Sequence, residues 1–478
     1  MNIERQALSG LKWTAFAKLS SQVISWASTL LVMRLLVPDD YGLMAMVTVV
    51  LSVLSNVAEL GIGASVVQSR ELTREDLEKI SGLIILVSIG VFAALCVAAP
   101  FISDAYDMPR LTALLWAAGT QLLIASFATL PQALAQREFE FKRLAAVELA
   151  WALSTALSTF ALAWYGAGVW SLVLGSLIGA FVRAVMLIAQ GGVVRPSFRL
   201  TGVRKFLAVG GAVMFGRLSW QVVYQSDVLI GARRLGSIDI GAYSVALQLA
   251  TLPMQRITGV INQVVLPAVA RLQDERERLR RRLLEGCRIL TAFSVPVLWG
   301  MSATAQEIVG VALGPKWLTA ILPLQIITLV VPLRMVSAAF STANLGIGRA
   351  GLDVRNNIVM AIVLPVCFFV GTYWGVNGLA ASWLVATPTV LALNFPRVAK
   401  ALSTSVSDVL RAIWRPFGAG LAMYLAVVGC RYALGGLSDL LRLPLLIGAG
   451  AIAYVGSLHL LDRKMISDMT RIAKSGGA

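Results

Sequence analysis

The sequence predicts an all-α polytopic membrane protein, with about fourteen transmembrane helices in two pseudo-symmetric lobes around a central cavity. Three observations lead there. Of its 478 residues, 58% are apolar, and the mean hydropathy is +0.78. Such a chain has too few polar residues to cover a water-facing surface. The apolar residues also gather into runs of about 20, the length that crosses a bilayer core as a helix. Finally, one unit occurs twice. Arg34-Leu35-Leu36-Val37-Pro38-Asp39-Asp40 aligns with Arg234-Leu235-Gly236-Ser237-Ile238-Asp239-Ile240, and Gly42–Met46 aligns with Ala242–Ala246.

Taken in order, the first half holds spans at 12–35, 41–67, 80–102, 111–135, 144–164 and 168–190. The second half holds 204–232, 241–267, 286–312, 318–344, 354–374, 376–396, 412–432 and 442–461. Gly191–Lys205, with Arg195, Pro196, Arg199, Arg204 and Lys205, joins the halves. The expected division is an N-terminal lobe over 1–200, a C-terminal lobe over 201–400, and two additional helices with a tail over 401–478.

With the N-terminus inside, the inside loops and tails hold roughly 30 Lys and Arg and the outside loops about 7, which places both termini in the cytoplasm. The net charge of +16 is thereby read as topology rather than nucleic-acid binding, and no nucleic-acid partner is predicted. The outside loops, 36–40, 103–110, 165–167, 233–240, 313–317, 375 and 433–441, are too short for a folded domain or a catalytic cleft. Cys96, Cys287, Cys367 and Cys430 show no CxxC spacing, so neither a disulfide framework nor a metal site is expected. His459 lies near the last helix end, and no removable signal peptide is read at the N-terminus.

The basic run Arg271–Arg282 places Leu272, Leu279 and Leu283 loosely on one helical face. It reads as a topology determinant or as a segment along the cytoplasmic interface, where it would meet anionic headgroups or a partner enzyme. Pro253, Pro267, Pro296, Pro323, Pro332, Pro365 and Pro388 allow bends within spans. Gly175-Ser176-Leu177-Ile178-Gly179 is a close-packing GxxxG and receives no functional role.

Ionisable residues inside spans cost about 2.5–3.5 kcal/mol each on insertion scales, so they tend to face a cavity. A rise of about 1.5 Å per residue gives their depth. Arg217 and Arg256 fall near the midplane. Lys18 and Arg334 lie between midplane and cytoplasm, and Glu59 toward the cytoplasmic end of its helix. These four cations suit a polyanionic headgroup such as a pyrophosphate, because guanidinium binds phosphate oxygens in bidentate fashion. The plainer reading is that each cation snorkels or pairs privately, as Lys18 with Glu59. Asp227, toward the outside, is either an ion carrier or a partner of Arg233 or Arg234. Depth separates it from the oxygen-rich group Asp353, Asn356 and Asn357. Coupling to a proton or sodium gradient therefore has no built site, and no cofactor is predicted.

The run Gln225-Ser226-Asp227-Val228-Leu229-Ile230-Gly231 is followed by Leu235-Gly236, Gly241-Ala242-Tyr243, Leu252-Pro253, Pro267 and Arg271-Leu272-Gln273-Asp274. With Leu60–Ala64, Gly314-Pro315-Lys316-Trp317 and Leu333-Arg334, this order resembles the bacterial polysaccharide flippases, in particular their exopolysaccharide, colanic-acid-like branch. These belong to the multidrug/oligosaccharidyl-lipid/polysaccharide (MOP) exporter superfamily. The resemblance covers nearly the whole chain. It implies a MATE- or lipid-flippase-like pair of lobes working by alternating access. The implied cargo is undecaprenyl-pyrophosphate-linked oligosaccharide, moved from the cytoplasmic to the periplasmic leaflet of the bacterial inner membrane for exopolysaccharide, O-antigen or capsule synthesis. Membrane lipids and the polysaccharide polymerase and export machinery are the implied partners. Arg256 and Arg334 fall within matching motifs, whereas Lys18, Arg217 and Glu59 rest on depth alone. Trp13, Trp26, Trp220 and Tyr224 are candidates for sugar stacking.

Other readings are a membrane polymerase or ligase, a drug transporter and a lipid II flippase. A polymerase needs a long outside loop with acid and base residues. A carrier of amphipathic cations needs an acidic or aromatic cavity rather than a basic one. The exopolysaccharide-like motifs argue against lipid II.

Overall fold

A computed structural model describes residues 20–61, 65–66, 69, 72–191, 194–199, 204–271, 275–348, 350–462 and 465. Among the described residues there is no strand. The first half contains α1 (20–35), α2 (Pro38–Glu59), α3 (Arg74–Ala105), α4 (Leu111–Arg137), α5 (Phe141–Trp164), α6 (Val169–Gly191) and α7 (Arg204–Tyr224). The second contains α8 (Ser226–Arg271), α9 (Arg276–Ala303), α10 (Ile321–Gly346), α11 (Ala350–Gly371), α12 (Gly375–Leu402), α13 (Val406–Ala433) and α14 (Asp439–Leu461). Eleven stretches of described residues are long and apolar enough to span a bilayer. Two of these, Gly216–Met254 and Val354–Leu402, each run across a break. The chain is thus a multi-pass membrane protein. Large apolar side chains such as Phe101, Trp164, Ile452 and Leu460 are exposed along it, as hydrocarbon contact requires and water would not tolerate in such number.

Packing divides the chain into Met1–Gly241 and Ala242–Ala478. The division falls beyond the Gly191–Lys205 connection because α7 packs on α2. In the N-terminal unit the two copies of the repeated turn lie against each other. A Cβ on Gly42 would lie 1.8 Å from the Ser237 carbonyl oxygen, and one on Gly241 would lie 1.8 Å from that of Pro38. No side chain fits at either position. The second copy turns on Gly236 alone, whose φ of 81° and ψ of 178° suit only glycine. Asp39 accepts hydrogen bonds from Ser237 and, at 3.4 Å, from Arg110, while Arg233 donates to Asp107 at 3.0 Å. Asp40 caps two helices at once: it accepts from the Val37 N–H at 3.3 Å and from the Val169 N–H at 3.0 Å. Three connections that the sequence assigns to the outside are tied in this way.

In the C-terminal unit, α9 packs with α13 and α14 through Ala292, Ala419, Met423, Val427, Leu446 and Tyr454, and the Tyr454 hydroxyl donates to the Ala292 carbonyl at 2.9 Å. The Trp383 indole N–H donates to Tyr243 at 2.8 Å, and Phe368 meets the Trp383 ring edge-on at 4.9 Å. Of the basic run, Leu272 lies outside the described residues. Leu279 and Leu283 turn inward. They are buried with Cys287 and Leu290 on the inner face of α9, which continues without interruption to Ala303. The helices also continue through Pro296, Pro332, Pro365 and Pro388.

Glu307 is fully buried. Its carboxylate accepts from Arg431 at 3.1 Å and lies 3.6 Å from Arg442, while Arg431 also donates to the Ala303 carbonyl. Removing one member of a buried pair strands the other charge at a cost of about 3–5 kcal/mol. Glu307→Ala should therefore lower the melting temperature of the detergent-solubilised protein markedly. Glu75→Ala, which breaks an exposed pair with Lys79 on α3, should cost about 0.5 kcal/mol or less. Equal melting temperatures for the two variants would contradict this account.

Candidate functional site

The cavity in the N-terminal unit is assembled from four helices and one helix end. α5 and α6 pack through matched ridges spaced by one helical turn. Gly175 faces Thr159 and Gly179 faces Thr155, and a Cβ on either glycine would lie 1.9 Å from the opposing Oγ1. The next residue along the α6 ridge is Arg183 and the next along α5 is Trp151. The guanidinium consequently sits 5.4 Å from the indole centroid, a cation–π contact. The GxxxG that explains packing thus also positions a cation. From α4, Gln132 accepts a hydrogen bond from Arg183 Nη2 at 2.7 Å.

Across this group, Glu59 ends α2 and Arg217 stands in α7, their charged atoms 3.9 Å apart and both side chains about half exposed (48% and 56%). A cavity of 460 Å³ lies among Glu59, Gln121, Gln132, Trp151, Arg183 and Arg217, with Thr129 and Gln136 also on its wall. Its two guanidinium groups, one carboxylate, three amides and one indole have hydrogen-bonding and stacking capacity toward a polar, anionic ligand.

The structure brings together Arg217 and Glu59 among the residues singled out by sequence, so Glu59 meets Arg217 as its ion-pair partner. Lys18, and with it the proposed Lys18–Glu59 pairing, lies outside the described residues. Arg256 is carried by α8, but its side chain lies outside the described set. Arg334 belongs to the C-terminal unit, where its guanidinium stands 4.0 Å from the Trp383 ring centroid. Asp227 is fully buried. It lies just past the interruption at Gln225, in the first turn of α8, where its Oδ1 accepts from the Val228 N–H at 2.8 Å. A carboxylate there meets the positive end of a helix and an N–H that the break leaves without a helical partner. Arg233 pairs with Asp107. The aromatic candidates Trp220 and Tyr224 stack on each other at 4.2 Å. Arg183, Gln121, Gln132 and Trp151 were missed by the depth argument. The signal for Arg183 was its register, four residues beyond Gly179 and eight beyond Gly175 in an otherwise apolar span.

The sequence pattern of a family described as "Polysaccharide biosynthesis protein" matches residues 31–322. The chain is 24% identical to "Lipopolysaccharide biosynthesis protein WzxC" of Escherichia coli (strain K12), over 91% of this chain and 89% of that protein. It is 22% identical to "Succinoglycan biosynthesis transport protein ExoT" of Rhizobium meliloti (strain 1021), over 98% and 96%. Among solved structures, the lipid II flippase MurJ superposes with a TM-score of 0.76 at 14% identity, covering 95% of this chain and 99% of that one. A multidrug resistance MATE transporter of the MOP superfamily gives 0.66 at 14% identity, over 84% and 100%. The fold is that of these transporters.

The ridge contact between α5 and α6 makes a direct prediction. A larger residue at Gly179 overpacks the contact and pushes Arg183 away from Trp151, at about 1–3 kcal/mol. Gly179→Leu should lower the melting temperature of the purified protein. Gly216→Ala, where a Cβ meets nothing within 4 Å, should leave it unchanged or slightly raised. An unchanged melting temperature for Gly179→Leu would remove the close packing from the explanation of the cavity.

Proposed function

Because the chain belongs to the polysaccharide biosynthesis protein family, we propose that it is a flippase for undecaprenyl-pyrophosphate-linked oligosaccharide repeat units. It moves them by alternating access from the cytoplasmic to the periplasmic leaflet of the bacterial inner membrane, with both termini in the cytoplasm. The observation that carries this reading is the cavity holding Arg183 and Arg217 beside Trp151 and three glutamines. Guanidinium groups suit pyrophosphate oxygens. Amides and an indole face suit the hydroxyls and rings of sugars, while the polyprenyl tail stays in the bilayer. In the proposed orientation Glu59, Gln132 and Arg183 lie in the cytoplasmic half, where the cargo is made, and Arg217 lies near the midplane. Arg256 and Arg334, with Lys18, are the further cations proposed for the pathway, and Asp227 is read as a structural carboxylate rather than a coupling group.

Moving a headgroup across the bilayer makes and breaks no covalent bond, so the function needs no cofactor. The drug-transporter reading is disfavoured by the sign of this cavity, in which arginines outnumber the one carboxylate.

Losing one charge-assisted contact to phosphate costs about 1.5–3 kcal/mol, so Arg183→Ala and Arg217→Ala should each slow flipping by about tenfold or more. In cells carrying either variant, complete lipid-linked repeat units should accumulate out of reach of a membrane-impermeant probe applied from the periplasm, at normal protein levels. Units fully labelled by the probe in both variants would move the block beyond flipping and reopen the polymerase reading.

A further inference from the structure

A second charged recess, of 650 Å³, lies in the C-terminal unit between the N-terminal portions of α9 and α13. Arg281, Arg282, Arg288, Arg411 and Arg415 line it against the carboxylates of Glu285 and Asp408. The acids already have partners. Arg282 donates to Glu285 at 3.0 Å, and Arg280 lies 3.4 Å from Asp408. Asp462 pairs with Arg288 and, at 3.2 Å, with Arg415. Arg281 and Arg411 are exposed, and neither has a hydrogen bond or ion pair among the described residues. Two guanidinium groups are thus left over in a recess whose charge is net positive.

The same recess opens beside an apolar stripe. Leu410, Trp414, Leu421 and Leu425 lie on one face of α13, each 51–63% exposed, and Arg411 and Arg415 stand one residue on from the first two. The Arg415 guanidinium is 5.7 Å from the Trp414 ring centroid. An indole at this level is typical of the headgroup boundary. Beyond it the stripe continues along the apolar span of α13. The stripe faces hydrocarbon as the exposed apolar side chains of any spanning helix do, and it lies where the acyl chains of a lipid whose phosphate meets the arginines would run.

We propose that this recess binds the headgroup of an anionic phospholipid of the cytoplasmic leaflet, with its phosphate diester on Arg281 and Arg411 and its acyl chains along Trp414, Leu421 and Leu425. Basic pockets between membrane helices on the cytoplasmic side take such headgroups. The site lies in the opposite unit from the cargo cavity. It rests on the chain spanning a membrane and not on which cargo is moved, so it stands or falls separately from the flippase reading.

The test is thermal melting of the purified full chain in detergent, titrated with dioleoylphosphatidylglycerol, with dioleoylphosphatidylcholine or with inorganic pyrophosphate. Phosphatidylglycerol should raise the melting temperature with a saturable midpoint, and phosphatidylcholine should not. Each arginine near the membrane surface contributes about fivefold in affinity, so Arg281→Ala/Arg411→Ala should shift that midpoint about 25-fold upward. Arg281→Gln/Arg411→Gln, which removes both charges but keeps polar side chains, should shift it likewise and serves as the readout if the alanine pair folds poorly. An unshifted midpoint in the alanine pair, or equal stabilisation by phosphatidylcholine, overturns the proposal. Equal stabilisation by pyrophosphate would assign the recess to a soluble anion and overturn the lipid.

Discussion

The constraint on which everything else depends is the absence of water in the hydrocarbon core. Backbone groups there must bond within helices, and each ionisable side chain needs a partner or a cavity. At the edge of that core Asp40 caps α2 and α6 together. Asp227 meets the constraint at the break in front of α8. Glu307 meets it with two arginines drawn from α13 and α14. In each case a buried carboxylate fastens a helix end or joins helices. The charges left to function are the ones the fold places on a cavity wall.

Spans were legible in the sequence because hydrocarbon demands length and apolarity, and both are written along the chain. The turn of the second copy falls inside the connection 233–240 that the sequence assigns, at Gly236, the one glycine of that connection. The interruption at Gln225 was not legible. The residues around it keep an apolar helical pattern, and the break is stabilised by groups remote in sequence, among them Ser52, which accepts from the Gln225 amide at 3.1 Å. Without that break Asp227 read as a charge inside the outer part of one continuous span, either an ion carrier or a partner of Arg233 or Arg234.

The candidate site was legible only in part, for a similar reason. Depth along a helix is one coordinate, and it found Arg217 and Glu59. The angle around the helix axis is the other, and it depends on which face is buried. For α6 that face is set by Gly175 and Gly179 against Thr159 and Thr155. Once they are in contact, Arg183 has only one place to go, over Trp151. A motif of small residues therefore carried positional information about a charge one turn further on.

The chemistry of this cavity also fits the need to release cargo. A cage of arginines alone would hold a pyrophosphate too tightly to let it pass. Here Arg217 has Glu59 at 3.9 Å, with both side chains about half exposed, and exposed pairs of this kind contribute only about 0–1 kcal/mol. In the pathway proposed above, a cargo phosphate would displace such a pair at little cost, and the pair would re-form behind it. Arg183 is held differently, against an indole and an amide, so its guanidinium stays positioned whether or not cargo is present. At the proposed cargo site, one fixed cation and one cation with an exchangeable counter-ion would together give recognition without a trap, which is what separates a carrier from a binding protein.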